Sequence, residues 1–161
     1  MAEQELRIGW KSSAVDISLG QHSQGKKAVS SLSGSSFCIV TDDAFSRSTI
    51  RQIFQDAGIS STSVARSFKD ALQTLARRRH DAIVLDTGNN GRAAKDFVSA
   101  IRGHEDTDLS RTPVIMITDK EDVEDLEAIE EIKNLGINSV LLKPFSPTSL
   151  LSRVRKVLKV S

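Results

Sequence analysis

Charged and hydroxyl side chains stand at or just beyond the ends of four short apolar segments of this chain. They are Asp42 and Asp43 after the first segment, Asp86 after the second, Thr118 after the third and Lys143 after the fourth. Carboxylates that lie close together repel one another and need a counter-charge. Their oxygens suit Mg²⁺, which keeps several waters and bridges readily to phosphate. Brought together, these residues indicate phosphoryl chemistry that uses a divalent metal.

Asp86 is the candidate nucleophile, because it stands alone at the end of the central apolar segment and a carboxylate can form an acyl phosphate. A metal would neutralise charge on the transferring phosphoryl group, Lys143 would add a second positive charge, and Thr118 would donate a hydroxyl hydrogen. Each residue also has a purely structural interpretation. Asp42 or Thr118 could simply cap a helix, and Lys143 could be a solvated surface lysine. Their joint appearance in chain order favours the chemical reading.

These positions converge only if the apolar segments are parallel strands of one sheet. Residues 37–40, 82–85, 114–117 and 139–142 read as strands buried on both faces, and residues 62–65 as a weaker strand near a sheet edge. Helical stripes alternate with them. The pattern predicts an α/β fold with a doubly wound, five-stranded parallel sheet of flavodoxin-like order 2-1-3-4-5 and helices on both faces. In that order the first and third strands are neighbours, so Asp42, Asp43 and Asp86 meet.

Local signals mark the ends of several predicted helices. Gly58 and Gly136 are expected to end the first and fourth helices, and Ser146 with Pro147 to begin the last. The fourth helix, residues 121–135, is expected to turn four apolar side chains inward: Val123, Leu126, Ile129 and Ile132.

Composition limits the number of domains and the kinds of partner. The 161 residues predict one folded domain, residues 36–161, after an N-terminal extension and flexible linker, residues 1–35. The formal charge of +1 argues against direct DNA binding. No apolar run approaches the roughly 20 residues of a membrane span, and no signal peptide is recognisable. The single Cys38 lies in an apolar strand, so we expect no disulfide framework and a reducing compartment, the cytoplasm. Since no membrane span is recognisable, we also expect no membrane attachment.

The extension carries a weak β-hairpin signal. Two apolar triplets alternate with polar residues, namely Leu6, Ile8 and Trp10, and then Val15, Ile17 and Leu19. An isolated hairpin is marginal in water and needs a surface to lie against. Two interpretations stay open: a flexible arm with chance alternation, or a docking strand or partner-binding element.

From residue 37 to residue 160 the chain resembles the receiver domain of two-component response regulators. The resemblance rests on IVTDD at 39–43, AIVLD at 82–86, TPVIMIT at 112–118 and LKPF at 142–145. It implies that Asp86 accepts phosphate from the phosphohistidine of a histidine kinase or phosphotransfer protein. It implies that Mg²⁺ is held by Asp86, by Asp43, by Asp42 through water and by the backbone carbonyl of Gly88. Thr118 and Lys143 would contact the phosphoryl group, and the Lys143–Pro144 bond would be cis.

Three features depart from the receiver pattern. Residues 88–91 replace the usual Met-Pro and predict a more flexible loop, because glycine loses more backbone entropy on ordering. Asp119 stands where a small residue is usual, and its carboxylate predicts slow phosphotransfer. Val140 stands where the switch aromatic belongs, so activation must proceed through Thr118, through loop and helix shifts or through dimerisation.

The resemblance also implies signalling by protein contacts. We expect a stand-alone receiver that uses its fourth helix, fifth strand and fifth helix to bind a downstream protein or a second copy. Acidic residues on the fourth helix and basic residues on the fifth suit a two-fold contact, although charge runs are often only solvated faces. The run of arginines at 77–79 could attract an anionic ligand such as a nucleotide, or could be the solvated end of a helix.

Two alternative functions are compatible with parts of the pattern. A receiver-like scaffold would bind a partner or ligand without being phosphorylated. A phosphatase of the haloacid dehalogenase type would use a similar set of residues with Mg²⁺, but its nucleophile lies in an Asp-x-Asp on the first strand and its acidic pair comes last. This chain has the acidic pair first and no cap domain. A nucleotide-binding fold would need a glycine-rich loop after the first strand, where residues 42–46 are DDAFS.

Overall fold

The computed structural model describes residues 32–159. The strands are β1 (Ser36–Val40), β2 (Ser61–Ala65), β3 (Ala82–Asp86), β4 (Val114–Thr118) and β5 (Ser139–Leu142). They pair in parallel in the order β2-β1-β3-β4-β5, which confirms the predicted doubly wound sheet with its weaker strand at an edge. The predicted N-terminal hairpin and most of the predicted linker lie outside the described residues.

The main helices are α1 (Ala44–Asp56), α2 (Phe68–Arg77), α3 (Gly91–Arg102), α4 (Leu126–Asn134) and α5 (Pro147–Leu158). A four-residue helix, Thr107–Ser110, precedes β4, and a 3₁₀-helix, Lys120–Val123, follows it. No helix within residues 32–159 has both the length and the apolar character to cross a membrane.

Helices cover both faces of the sheet because successive strand residues point to opposite sides. On one face α1 and α5 pack against alternate strand residues, as Phe54 and Leu150 do in a cluster with Val84. On the other face α2 and α3 cover the intervening residues, and α4 covers Met116 and Val140. The domain therefore has three layers, with α1 and α5 forming one outer layer.

Leu32 belongs to the same buried cluster as α1 and α5 and is 0% exposed. The polar residues around Leu32 predict a linker, so its burial was not predicted from the sequence. A single apolar residue in a polar stretch gives no periodic signal, so its burial depends on the tertiary structure.

The capping signals in the sequence are confirmed. Gly58 and Gly136 have φ of +84° and +79°, a left-handed conformation that glycine adopts without steric cost. Ser146 begins α5, with its hydroxyl accepting a hydrogen bond from the backbone N of Ser149 at 3.1 Å.

The prediction of one continuous fourth helix is wrong. The 3₁₀-helix ends at Val123, and α4 begins only at Leu126 because Asp125, in an extended conformation, caps it through the Ala128 backbone N. Val123, Ile129 and Ile132 are buried as expected, whereas Leu126 is 48% exposed. The break changes the direction of the chain between Val123 and Leu126, so the two residues do not share one helical stripe.

Candidate functional site

Asp86 is the last residue of β3, and its side chain is 1% exposed. Lys143 Nζ lies 2.8 Å from Asp86 Oδ1, and the backbone N of Gly88 donates to the same oxygen at 3.1 Å. The Thr41 hydroxyl donates to Asp86 Oδ2 at 3.0 Å. Burial of a carboxylate costs free energy unless the group is paired and hydrogen-bonded, and Asp86 meets both conditions.

Lys143 reaches Asp86 because β5 ends beside β4. The Lys143 backbone N donates to the Thr118 carbonyl at 3.0 Å, which continues the parallel ladder by one residue. The Lys143–Pro144 bond that follows is cis, as the resemblance implies. Lys143 is therefore an ion-pair partner of the central aspartate, and the reading of a solvated surface lysine is excluded.

Of the acidic pair, Asp43 rather than Asp42 caps a helix. It precedes α1, and its Oδ2 accepts a hydrogen bond from the backbone N of Ser46 at 2.8 Å. The hydrogen bonds from Ser46 hold the pKa of Asp43 below its ordinary value, and the positive charge of Lys143 lowers it further. Asp43 is thus a charged, exposed carboxylate. Lys143 interacts electrostatically with both Asp43 and Asp86.

Asp42 is exposed and lies directly against Gly88. A Cβ built on Gly88, whose φ is +56°, would lie 3.4 Å from Asp42 Oδ1. The strand ends therefore bring Asp42 of the β1–α1 loop next to the loop after β3 that carries Gly88. Four of the predicted site residues, Asp42, Asp43, Asp86 and Gly88, lie at one edge of the sheet with Lys143.

Thr118 lies at the same edge, but its hydroxyl forms hydrogen bonds with Asp122 and Thr87 and not with Asp86. Its hydroxyl donates to Asp122 Oδ2 at 2.6 Å, and the Thr87 and Thr118 hydroxyl oxygens lie 2.9 Å apart. Since Thr118 gives its hydrogen to Asp122, Thr87 is the donor in the second bond. The network joins the residue after Asp86 to the 3₁₀-helix.

Comparisons with known proteins agree with this geometry. The family model described as the response regulator receiver domain matches residues 37–155. The chain belongs to this family. It is 29% identical over 119 residues to the chemotaxis protein CheY-3 of Vibrio cholerae serotype O1, covering 74% of this chain and 88% of that protein. It is also 29% identical to the chemotaxis protein CheY of Pseudomonas aeruginosa, covering 74% and 92%.

Solved structures of receivers have the same fold. The chemotaxis response regulator CheY4 of Vibrio cholerae superimposes with a TM-score of 0.66 at 28% identity, covering 76% of this chain and 98% of the other. A response regulator from Chloroflexus aurantiacus gives a TM-score of 0.67 at 27% identity, covering 78% and 98%. This protein is therefore a CheY-like receiver of two-component signalling.

Receivers of this family bind Mg²⁺, and the donor set of this chain fits that metal in its chemistry. Mg²⁺ takes one or two protein carboxylates with several waters. Asp42 lies against Gly88, and Asp43 and Asp86 both lie near Lys143. Among the described residues, no three acidic, histidine or cysteine side chains form a ready-made metal cluster. Binding would therefore rely on one or two carboxylates, a backbone carbonyl and water.

A cavity of about 440 Å³ gives access to the receiver site. Its lining residues include Thr41, Asp42, Asp86, Arg66 and Asn90. Asn90 also caps α3, accepting from the backbone N of Ala93 at 3.0 Å, and its own backbone N donates to the Thr87 carbonyl at 3.1 Å. The unusual loop at 88–91 thus has defined hydrogen bonds at its end.

Two departures from the receiver pattern differ in their exposure. Asp119 is exposed and begins the 3₁₀-helix without a side-chain capping bond. Val140 is 2% exposed and packs with Met116 beneath α4. Val140 fills a closed part of the core, so this receiver has no ring at that position to rotate.

The arginine run lies at the opposite edge of the sheet. It helps to line a second cavity, of about 490 Å³, together with Asp108. Arg79 forms an ion pair with Asp108, and Arg78 donates to the hydroxyls of Ser36 and Ser61. These internal partners favour a structural role for Arg78 and Arg79.

Three site residues were not assigned roles from the sequence: Thr41, Thr87 and Asp122. Thr41 stands immediately before the acidic pair, and Asp122 stands four residues after Thr118. The position of Thr41 at a strand end was the available signal for its contact with Asp86. Asp122 carried no such signal, because its acidic neighbours in sequence suggested only a charged helix face.

Proposed function

We propose that this receiver accepts a phosphoryl group on Asp86 from a histidine kinase or a phosphotransfer protein, with Mg²⁺ bound. The observation that carries the proposal is the pairing of Asp86 with Lys143 at 2.8 Å, at the edge of the sheet where the acidic pair also lies. Such a site offers a nucleophilic carboxylate, fixed positive charge and oxygen donors for a metal.

The chemical step is a displacement at phosphorus. A carboxylate oxygen of Asp86 forms the new P–O bond, the P–N bond of the donor phosphohistidine breaks, and the imidazole leaves with the bonding electrons. Lys143 is placed to redirect its ammonium from the carboxylate to a phosphoryl oxygen. When bound, Mg²⁺ supplies charge neutralisation, and Asp43, Asp86, the Gly88 carbonyl and, through water, Asp42 would hold it. At most, slow self-dephosphorylation follows.

Thr118 is proposed to carry the signal away from Asp86. Its hydroxyl is held by Asp122, so donation to a phosphoryl oxygen would cost the bond to the 3₁₀-helix. The consequence would be movement of the segment that leads into α4. This route needs no aromatic ring at Val140.

The proposed output is protein contact through α4, β5 and α5, with a downstream protein or a second copy as partner. Acidic side chains such as Glu127 and Glu130 on α4 are exposed, as is Lys156 on α5. Opposite charges on neighbouring elements suit a self-complementary contact. A single-domain mode of action and a cytoplasmic location remain part of the proposal.

Intact-mass spectrometry of the full chain tests the phosphoacceptor proposal. Incubation with acetyl phosphate and Mg²⁺ should add one phosphoryl group, and chelation of the metal should abolish the adduct. Asp86→Asn should also abolish it, whereas Asp96→Asn, a change at an exposed carboxylate on α3, should not. An adduct that persists in Asp86→Asn would contradict the assignment.

A phosphorylation-independent scaffold is the second candidate. It is favoured by the engagement of both Asp86 oxygens and the almost complete burial of the side chain. This candidate predicts no adduct under conditions that label another receiver in the same tube.

A further inference from the structure

A polar cavity of about 490 Å³ lies at the amino-terminal edge of the sheet, opposite the receiver site. Its walls come from the end of α2 with the loop that follows, residues 75–81, and from the segment before β4, within residues 106–113. Small-molecule sites in proteins have volumes of about 300–1,000 Å³, so the cavity is large enough for a ligand. None of these residues takes part in the proposed phosphoryl transfer.

Four arginines line this cavity: Arg77, Arg78, Arg79 and Arg111. Arg79 forms an ion pair with Asp108. Arg78 donates to two serine hydroxyls, which are neutral and do not cancel its positive charge. Arg77 and Arg111 are exposed, and within residues 32–159 their side chains form no ion pair or hydrogen bond. Both guanidinium groups therefore have all of their donors available to a ligand.

The carboxylates of the cavity already have partners. Asp108 is paired with Arg79. Asp81 accepts a hydrogen bond from the backbone N of Ser36 at 2.7 Å, and Asp106 accepts one from the backbone N of Asp108 at 2.9 Å as the cap of the short helix. Four arginines against three aspartates leave an excess of positive charge around the cavity. The unused hydrogen-bonding capacity thus belongs to cationic donors, which favours an anionic ligand.

The effect of this positive charge is visible at His80, which lines the same cavity. Burial lowers the pKa of His80, and the charge of Arg78 lowers it further. The carboxylate of Asp81 acts in the opposite direction, with a smaller effect than Arg78. The arginine therefore outweighs the aspartate in the electrostatic potential at this imidazole.

Arginine is well suited to phosphate, because its planar guanidinium donates two parallel hydrogen bonds to phosphate oxygens and stays charged. Arg77 and Arg111 come from two different segments of the cavity wall, so a ligand with two or more phosphoryl groups can contact both. Leu75, Leu109 and Pro113 also line the cavity and add apolar surface, against which a base or a sugar can pack.

We propose that this cavity binds a nucleoside diphosphate or triphosphate, with Arg77 and Arg111 contacting its phosphoryl groups. The ligand would connect the end of α2 with the segment that leads into β4. The five residues of β3 separate this cavity from the Asp86 edge by roughly 16 Å, so the proposal does not depend on phosphorylation of Asp86.

Isothermal titration calorimetry of the full chain with ATP tests the proposal, in EDTA so that no metal-dependent binding at the Asp86 edge contributes. The double variant Arg77→Gln/Arg111→Gln should weaken ATP binding by about tenfold or more, because charge-assisted hydrogen bonds to phosphate are lost. The matched control Arg51→Gln/Arg92→Gln removes the same charge from exposed positions on α1 and α3 and should leave the affinity nearly unchanged. Pyrophosphate should compete with ATP, whereas adenosine should not.

Thermal unfolding of the same proteins is the second measurement. ATP should raise the unfolding midpoint of the unsubstituted protein and of the control, but not that of Arg77→Gln/Arg111→Gln, because a ligand that binds only the native state stabilises it. The midpoints without ATP report whether each variant is folded.

Three results would overturn the proposal. The unsubstituted protein could show no saturable binding of ATP, which would leave these arginines as solvated side chains. The two double variants could weaken binding equally, which would indicate general attraction of an anion to a charged surface. Adenosine could compete as well as pyrophosphate, which would exclude recognition of phosphate. None of these measurements involves Asp86, so failure here leaves the proposed function untouched.

Discussion

Thr41 connects the acidic pair to the proposed phosphoacceptor. Its hydroxyl oxygen accepts from the backbone N of Asp43 at 3.1 Å and donates its hydrogen to Asp86 Oδ2 at 3.0 Å. The side chain thereby fixes the loop after β1 and one oxygen of a buried carboxylate together. Lys143 and the Gly88 backbone N fix the other oxygen.

Thr41→Val should lower the free energy of unfolding by about 2 kcal/mol, because a buried carboxylate loses a hydrogen bond and the Asp43 N–H loses its acceptor. Thr41→Ser keeps the hydroxyl and should lose clearly less. Urea denaturation of both variants measures the difference. Equal stability of the two variants would show that the hydroxyl does not hold Asp86.

For single residues of the site, the sequence was informative where a charged side chain follows the end of a predicted strand. The order of Asp42, Asp86 and Lys143 along the chain was enough to predict that they meet, because parallel strands end at one edge. The direction of the Thr118 hydroxyl was not predictable. It depends on Asp122, whose position follows from a helix break that only the folded chain reveals.

The segment after β4 is the element on which signalling depends in the proposed function. The Thr118–Asp122 hydrogen bond holds the 3₁₀-helix against the end of β4. The apolar period at residues 123, 126, 129 and 132 predicted one helix across this region. Capping by Asp125 overrides that period, because a short acidic side chain satisfies the backbone donors of a new helix.

Asp122→Ala should speed hydrogen exchange of the backbone amides at residues 120–123, because the 3₁₀-helix loses its tether to Thr118. Asp119→Ala is the matched control, since Asp119 begins the same helix without a side-chain bond. Hydrogen-exchange mass spectrometry of the unphosphorylated protein compares the two. Similar exchange rates in both variants would mean that the tether does not stabilise this element.

His80 joins the end of α2 to the edge strand β2. Its Nδ1 lies 3.1 Å from the Arg78 carbonyl and its Nε2 lies 2.9 Å from the Ser63 hydroxyl oxygen. The geometry suits a neutral ring that donates from Nδ1 and accepts at Nε2. Burial lowers the pKa of His80 below its ordinary value of 6.5, and the charge of Arg78 lowers it further.

The free energy of unfolding should therefore fall as the pH drops below about 6.5, where the unfolded chain binds a proton more readily than the folded one. His80→Gln should flatten this part of the pH profile relative to the unsubstituted protein. Urea denaturation between pH 7 and pH 5 measures the slopes. An unchanged slope in His80→Gln would contradict the assignment.

At the level of the whole domain, Arg102 connects the loops at the amino ends of the strands, the opposite end of the sheet from Asp86. From the end of α3 its guanidinium donates to the carbonyls of Ser110, Thr112 and Gly136 at 2.8–2.9 Å, and to Asn138 Oδ1 at 3.0 Å. Gly136 allows this approach, since a Cβ there would lie 3.0 Å from Arg102 Nε. One side chain thus fixes the loops that lead into β4 and β5.

Arg102→Lys should lower the free energy of unfolding by about 2 kcal/mol, because an ammonium cannot reproduce the fork of donors. Arg92→Lys is the control, as Arg92 is exposed and forms only a surface ion pair with Asp96. Thermal or urea unfolding measures both. Equal effects would show that the guanidinium is not a tether.

The fold of residues 32–159 was predictable because its strands are short, apolar and regularly separated by helices. The predicted order of strands follows from the alternation and from right-handed crossovers. The placement of Leu32 was not predictable, since it depends on tertiary contacts with no local periodicity.

Borohydride reduction after phosphorylation identifies the residue that carries the phosphoryl group. Hydride converts an aspartyl phosphate to homoserine, so the modified residue can be read by peptide sequencing in a mass spectrometer. After treatment with acetyl phosphate and Mg²⁺, homoserine should be found at position 86 and nowhere else. Homoserine at position 42 or 43, or none at all in a chain that carries a phosphoryl adduct, would show that Asp86 is not the phosphoacceptor.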